Sequence, residues 1–278
     1  MVGESQDETY EIYAIRYATN QNRRSSRNFL KGDPHDVPMP IDYYVWAIVG
    51  KSNTYLVDTG FDKATALERG HDFLICPAEA LKSIGIQATD VREVIISHLH
   101  FDHVGNFDKF PKARFRLQEK EMSYVTGRYM LHAELRRPFH LHHICGMIGC
   151  LYSGRVKFAD GQQTIAPGIT VHHVGGHTMG LQVVRVHTQR GYVVLASDAA
   201  HFYANIQKRS PHPSTLHVGD AMQAWTTIED LATSPTHIIP GHDPLVSSMF
   251  PQAASELGPL CVRLDLDPLP EYRNLVLE

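Results

Sequence analysis

Apolar residues occur along the chain in short alternating or continuous runs, a pattern that is typical of β-strands. In the first half these runs occupy residues 10–17, 43–58 and 91–98, with a predicted turn near Gly50 inside the second run. After residue 155 the predicted strands are RVKFAD, ITVHHVG, LQVVRVHT, GYVVLASDA and THIIPGH. The residues TQRG at 188–191 predict a hairpin turn between two of these strands.

Apolar positions at helical spacing predict helices within and between the two groups of strands. Residues 78–84 have apolar positions at i, i+3 and i+4, and the apolar region 118–150 predicts helices that Pro138 divides into two. A further helix is predicted from about Val218 to Leu231. This order of elements predicts two sheets sandwiched between helix layers, in a single domain that spans residues 1–278.

Charge and composition limit the classes of molecule that this protein is expected to bind. The formal net charge is −4, and the only basic cluster is Arg23, Arg24 and Arg27, in a long polar loop over residues 18–40. This distribution argues against nucleic acid or an anionic membrane as the main partner, so we expect a small-molecule substrate. An acidic N-terminus and the lack of any run of about 18 apolar residues predict a soluble, cytoplasmic protein. The sequence leaves a homodimer open.

The candidate chemistry lies in SHLHFDHVGN at 97–106, directly after a predicted buried strand. Four titratable side chains fall within six positions there, and burying them is costly unless a cation pairs with them. Further histidine and aspartate residues follow other predicted strands, whose ends can meet at one rim of a fold. We expect one ion on His98, His100 and His177, a second on Asp102, His103 and His242, and Asp198 between them. Nitrogen and oxygen ligands of this kind suit zinc, and the sequence leaves other divalent metals open.

Five motifs together carry a family resemblance. SHLHFDHVGN, VDTGFD at 57–62, GGHTMG at 175–180, ASDAAH at 196–201 and IPGHD at 239–243 resemble, in this order, those of the metallo-β-lactamase superfamily. The resemblance implies an α/β fold of the α+β type, a four-layer αββα sandwich with a dinuclear zinc site at its rim. It assigns the seven residues above as ligands of two zinc ions. It also implies that Asp58 lies behind the ligands and orients one imidazole.

The motifs also favour one branch of this superfamily. Oxygen-reducing di-iron relatives carry glutamate where this chain has His100, and the commonest β-lactamases carry cysteine where it has Asp198. Nucleases of the superfamily normally need a basic surface, which this composition does not supply. The helical insert at about 118–152, expected over the active site, resembles that of N-acyl homoserine lactonases, the quorum-quenching lactonases. The segment 33–48 is similar to their substrate loop.

The resemblance implies a metal-dependent hydrolase that opens a lactone ring by attack of a metal-bridging hydroxide. Asp102, or a side chain near it, is expected to return a proton to the leaving alkoxide. Homoserine lactonases usually carry tyrosine three residues after the bridging aspartate, where this chain has His201, and Tyr203 lies close by in sequence. We therefore expect Asp102, His201 and Tyr203 as catalytic residues. A cyclic amide or imide, or a thioester as in glyoxalase II-like enzymes, stays open as the alternative substrate.

Overall fold

The structure is a computed structural model that describes residues 8–272. Within these residues strands and helices follow one another along the chain. The strands are β1 Glu11–Asn20, β2 Ile41–Val49, β3 Thr54–Val57, β4 Asp72–Phe73, β5 Glu93–Ile95, β6 Arg114–Gln118, β7 Val156–Ala159, β8 Gln163–Ala166, β9 Ile169–His173, β10 Gln182–Thr188, β11 Gly191–Ser197, β12 Ile238–Pro240 and β13 Cys261–Arg263. The α-helices are α1 Lys63–Arg69, α2 Pro77–Ala80, α3 Glu119–Val125, α4 Ala133–Arg136, α5 Leu141–Tyr152, α6 Tyr203–Gln207, α7 Val218–Leu231 and α8 Leu245–Met249. No helix within these residues is long and apolar enough to cross a membrane.

Two sheets contain all these strands. The first has the order β13-β1-β2-β3-β5-β6-β7, with β4 paired to β1, and the second has the order β12-β11-β10-β9-β8. Each sheet combines antiparallel hairpins with parallel neighbours, which are β3, β5, β6 and β7 in the first sheet and β11 and β12 in the second. The carboxyl ends of parallel strands meet at one edge of a sheet, so each sheet presents one such edge.

Three apolar layers hold the sheets and helices together. Trp46, Val184 and Leu195 belong to the layer between the sheets. Val45 points to the other face of β2, into the layer beneath the helices of the first sheet, because successive side chains alternate in a strand. Trp225 of α7 belongs to the layer outside the second sheet. The fold is therefore the expected αββα sandwich, with helices outside both sheets.

Some predicted elements agree with the structure, and the boundaries of others differ from it. The run 43–58 is two strands joined at Gly50, as predicted, and 188–191 is a hairpin turn. The run 91–98 contains only three strand residues, because the chain leaves the sheet at Ile96 to place the polar motif at its edge. Helix 78–84 is half α-helix and half 3-10 helix, and α1 was not predicted. The single domain over residues 1–278 extends beyond the described residues and stays a prediction.

The site lies at the sheet edge where the parallel strands end. Asp58 follows β3, His98 comes three residues after β5, Asp198 follows β11, and His242 comes two residues after β12. His177 lies in the turn between β9 and β10. Side chains from both sheets therefore reach the same rim, and the buried strands beneath them fix their positions.

Candidate metal centre

The structure brings all seven predicted ligands together in two adjoining groups. In each group the nitrogen and oxygen atoms that could bind an ion lie within 4.8 Å of one another. The groups are His98, His100, His177 and Asp198, and Asp102, His103 and His242. All seven side chains are buried. A third combination contains Asp198, His242 and His201, although the sequence predicts a catalytic role for His201 rather than a ligand role.

Asp198 lies between the two groups. Its Oδ2 is 3.1 Å from His177 Nε2 and 3.7 Å from His98 Nε2. Its Oδ1 is 2.9 Å from His242 Nε2 and 3.3 Å from His103 Nε2. Each carboxylate oxygen thus faces a different group of imidazoles. This is the arrangement that a carboxylate bridging two cations requires.

The unpaired atoms of the cluster fit bound cations. His98 Nε2, His103 Nε2 and Asp198 Oδ1 are buried and have no hydrogen-bond partner. Burial lowers the pKa of His98 and His100 well below its usual value, so both rings are neutral and can offer a lone pair. Unpaired buried polar atoms are expensive. Imidazole nitrogens and carboxylate oxygens converging in this way match the ligands of divalent zinc.

Two hydrogen bonds behind the cluster fix imidazole orientations. Asp58 Oδ2 lies 2.7 Å from His103 Nδ1 and also accepts a hydrogen bond from the Ser97 hydroxyl, while Asp58 Oδ1 accepts one from the Ser97 backbone N–H. His242 Nδ1 lies 2.8 Å from the Asp42 carbonyl oxygen. With Nδ1 protonated, both rings turn Nε2 towards the cluster. Asp58 therefore has the supporting position that the family resemblance implies.

Glu121 joins the two loops that carry the first group of ligands, and sequence reasoning missed it. Its buried carboxylate accepts hydrogen bonds from the backbone N–H of Leu99 at 3.0 Å and of Gly180 at 2.8 Å. Gly180 also allows a close approach, since a Cβ there would lie 2.2 Å from the Glu121 nitrogen. Burial raises the pKa of Glu121, and the backbone donors oppose that rise. The carboxylate thus fixes the loop of His98 and His100 against that of His177.

Replacing Glu121 by glutamine is expected to loosen this connection. The amide oxygen can accept only one of the two bonds, and the amide NH₂ then faces the other buried N–H. An unsatisfied buried N–H costs about 1–3 kcal/mol, so thermal denaturation should show a melting temperature lower by about 2–8 °C. Glu119→Gln, an exposed change on the same helix, is the control. Equal melting temperatures for both variants would show that Glu121 does not hold the loops.

The two residues after Asp198 that the sequence predicts to be catalytic, His201 and Tyr203, lie in different surroundings. His201 Nε2 is 3.1 Å from Asp198 Oδ2, and its ring stacks on His212 with centroids 3.9 Å apart. Tyr203 is packed in the layer between the sheets and lines a separate cavity with Ile206 and Ile238. Its position in the first turn of α6 directs the ring away from the cluster. Tyr203 is therefore not among the residues that line the cavity over the metal cluster, and its catalytic role stays a prediction that this position does not favour.

A cavity of about 650 Å³ opens over the cluster. Its wall includes Tyr43, His71 and Phe101, which the sequence analysis did not select. The Tyr43 ring lies 5.2 Å from the His242 ring, so an aromatic face borders the second group of ligands. The loop over residues 18–40 and the helical region 118–152 both reach this cavity, at Arg23 and Pro138 among others. The volume is that of a typical small-molecule site.

The chain is similar in sequence and in fold to known proteins. N-acyl homoserine lactonase AiiA of Bacillus thuringiensis subsp. kurstaki is 29% identical over 132 residues, 47% of each chain, so the match spans about half of that relative. N-acyl homoserine lactonase AttM of Rhizobium johnstonii is 24% identical over 267 residues, which cover 87% of this chain and 96% of the relative. A solved N-acyl homoserine lactone hydrolase, with the product N-hexanoyl-L-homoserine at its catalytic metal centre, has a TM-score of 0.69 and 20% identity. That alignment covers 87% of this chain and 96% of the other.

The family model of the metallo-beta-lactamase superfamily matches residues 40–242. This span is more than half of the chain, and it contains both halves of the sandwich edge and all seven residues of the two adjoining groups. The chain belongs to the metallo-beta-lactamase superfamily.

Proposed function

We propose that this protein is a dinuclear zinc hydrolase that opens the ring of a lactone. The observation that carries the proposal is the position of Asp198, whose two oxygens face two separate groups of buried imidazoles beneath one cavity. The relatives named above as N-acyl homoserine lactonases support a cyclic ester as the substrate.

The residues divide between two ions. We assign the first ion to His98, His100 and His177, the second to Asp102, His103 and His242, and both to Asp198. Two bound zinc ions would supply a nucleophilic water at neutral pH and polarise the ester carbonyl. The buried cluster excludes bulk solvent from all sides except the cavity. A substrate must therefore approach from the cavity side, past Tyr43 and Phe101.

Two further roles fall to residues that line the cavity. Asp102 Oδ2 lies 3.6 Å from both His103 Nε2 and His242 Nε2, and the side chain borders the cavity. Its carboxylate could accept the proton that the attacking water loses and pass that proton to the leaving alkoxide. His201 Nε2 is within hydrogen-bond distance of Asp198 Oδ2, and the stacked His212 ring restricts its rotation. We propose that His201 orients Asp198 and borders the bound substrate carbonyl.

His201→Asn should therefore lower kcat by about 10–100-fold while the protein keeps its metal, because the change removes an imidazole from the reacting end of the cavity. Steady-state kinetics and metal analysis of the same preparation measure both quantities. His142→Asn, at an exposed position of α5, is the matched control. An unchanged kcat in His201→Asn would remove His201 from the mechanism.

The proposal is tested by metal content together with a substrate panel. Elemental analysis should find about two zinc equivalents per chain, and chelation should abolish hydrolysis that added zinc restores. Activity that survives complete removal of metal would overturn the proposal.

This chain has His201 where homoserine lactonases usually carry tyrosine. Substrates other than lactones therefore have to be tested as well. The same assays on thioesters and on cyclic amides or imides decide between them. If one of these classes reacts at least about a hundredfold faster than every lactone, in kcat/KM, the enzyme acts on that class instead.

A further inference from the structure

Four arginine side chains line the cavity above the metal cluster. Arg23 and Arg27 come from the polar loop after β1, Arg69 from the end of α1, and Arg137 from the residue after α4. We call these four residues the arginine collar. They come from three distant parts of the sequence, and only the fold places them around one opening.

The collar carries an excess of positive charge. Among the described residues, the acidic side chains that line the cavity are Asp102 and Asp198, and both belong to the metal cluster. Arg137 has an ion pair with Glu134 at 3.5 Å, but both side chains are largely exposed, so water screens it. Arg27 has no ion pair within residues 8–272. No other carboxylate of the cavity wall therefore balances the collar.

Two members of the collar are anchored. Arg23 donates to the Arg27 carbonyl oxygen at 2.8 Å and to Asn28 Oδ1 at 2.8 Å, and it lies 2.7 Å from His212 Nε2. Arg69 donates to the carbonyl oxygens of Arg137 and Phe139, and its guanidinium lies 3.9 Å above the Phe101 ring. Each anchored arginine thus holds the backbone of another member.

The other two members keep their guanidinium groups accessible. Arg27 and Arg137 are exposed, and neither donates a side-chain hydrogen bond among the described residues. Burial lowers the pKa of Arg23, and the positive charges of Arg27 and Arg137, which line the same cavity, lower it further. Water screens the mutual repulsion of these exposed groups, and an anion that enters the cavity between them would be attracted by both.

We propose that the arginine collar binds a negatively charged group, of the carboxylate or phosphate type, on the part of the substrate remote from the bond that is hydrolysed. The planar guanidinium fork can bind either anion through two hydrogen bonds. The proposal deepens the proposed function, because it specifies an anionic lactone or related anionic substrate rather than a neutral acyl homoserine lactone. It concerns binding, so it can be tested without turnover.

The binding test is calorimetric titration of the zinc-loaded protein with glutarate, 3-phosphonopropionate and butyrate. Butyrate can reach the metal cluster alone, whereas the first two probes carry a second anionic group for the collar. We expect at least about tenfold tighter binding of glutarate or 3-phosphonopropionate than of butyrate. The better of the two identifies the anion as carboxylate or phosphate. The preference should weaken as ionic strength rises.

The double variant Arg27→Gln/Arg137→Gln should lose this preference, since it removes the two accessible charges and leaves the anchored ones. Arg24→Gln/Arg136→Gln changes exposed arginines one to three residues away that do not line the cavity, and it should keep the preference. In turnover, kcat/KM for a lactone with a side-chain carboxylate should fall about tenfold in the first variant, and that for its methyl ester should stay within about twofold.

The outcomes separate the two proposals. If glutarate and 3-phosphonopropionate bind no better than butyrate, or bind equally well to both double variants, the collar proposal is wrong even where lactones are hydrolysed. If the preference is present and depends on Arg27 and Arg137, but no lactone reacts, the collar proposal stands and the lactonase proposal fails.

Discussion

Asp198→Ala is expected to abolish hydrolysis, with kcat/KM lower by at least about a thousandfold, because the two oxygens of this one carboxylate face imidazoles of both ligand groups. Its oxygens lie 2.9 Å from His242 Nε2 and 3.1 Å from His177 Nε2. Alanine leaves these imidazoles without a shared anion, so two cations would repel each other across the gap. The zinc content should therefore fall from about two equivalents to one or fewer, as measured by elemental analysis.

A second measurement separates loss of metal from loss of the fold. Asp230→Ala, at an exposed position of α7, should keep wild-type metal content and activity. Circular dichroism of Asp198→Ala should match wild type, since the apolar layers do not depend on Asp198. An Asp198→Ala protein that keeps two zinc equivalents and wild-type kcat/KM would contradict the bridging role.

Asp58→Asn should weaken metal binding by about 10–100-fold, although Asp58 itself touches no predicted ion. The carboxylate lies 2.7 Å from His103 Nδ1 and accepts two hydrogen bonds from Ser97. An asparagine can keep one oxygen acceptor, but its NH₂ group would face either the His103 N–H or a Ser97 donor. His103 would then lose the partner that turns its Nε2 towards the cluster. Competition with a chromophoric chelator measures the zinc affinity.

Asn is nearly the same size as Asp, so this change tests charge and hydrogen bonding rather than packing. Asp230→Asn is the control of the same chemistry at an exposed site. At the zinc concentration that saturates wild type, Asp58→Asn should have low zinc occupancy and low activity, and both should return at higher zinc. Wild-type zinc affinity in Asp58→Asn would mean that Ser97 and the surrounding backbone orient His103 without the carboxylate.

Local sequence determined the chemistry of the metal cluster. SHLHFDHVGN places four titratable side chains after a strand, and burial of that many charges makes sense only with cations. Because strands fix direction, His177, Asp198 and His242 could be predicted to meet this motif from the ends of other strands. The continuous apolar run 91–98 likewise predicted a strand that is buried on both faces. These features depend on neighbours in sequence, so one chain was enough to predict them.

The residues at which strands end and helices begin were harder to predict from the sequence. Only Glu93–Ile95 of the run 91–98 is paired in the sheet, because pairing depends on β3 and β6 rather than on hydrophobicity. Tyr203 lies two residues after His201, yet it points into the layer between the sheets. Neighbours in sequence point in different directions once a helix begins between them, and the sequence does not specify where that happens.

The sequence, with the family resemblance that it carries, determined the αββα layers, the seven candidate ligands and the place of Asp58 behind one imidazole, which the structure identifies as that of His103. Only the tertiary structure decided what surrounds them. Glu121 meets Leu99 and Gly180 through backbone groups, which no side-chain pattern reveals. Arg27, Arg69 and Arg137 meet at one cavity although more than 40 residues separate each from the next. Such contacts depend on how loops fold over a finished sheet edge, so they follow from packing rather than from local periodicity.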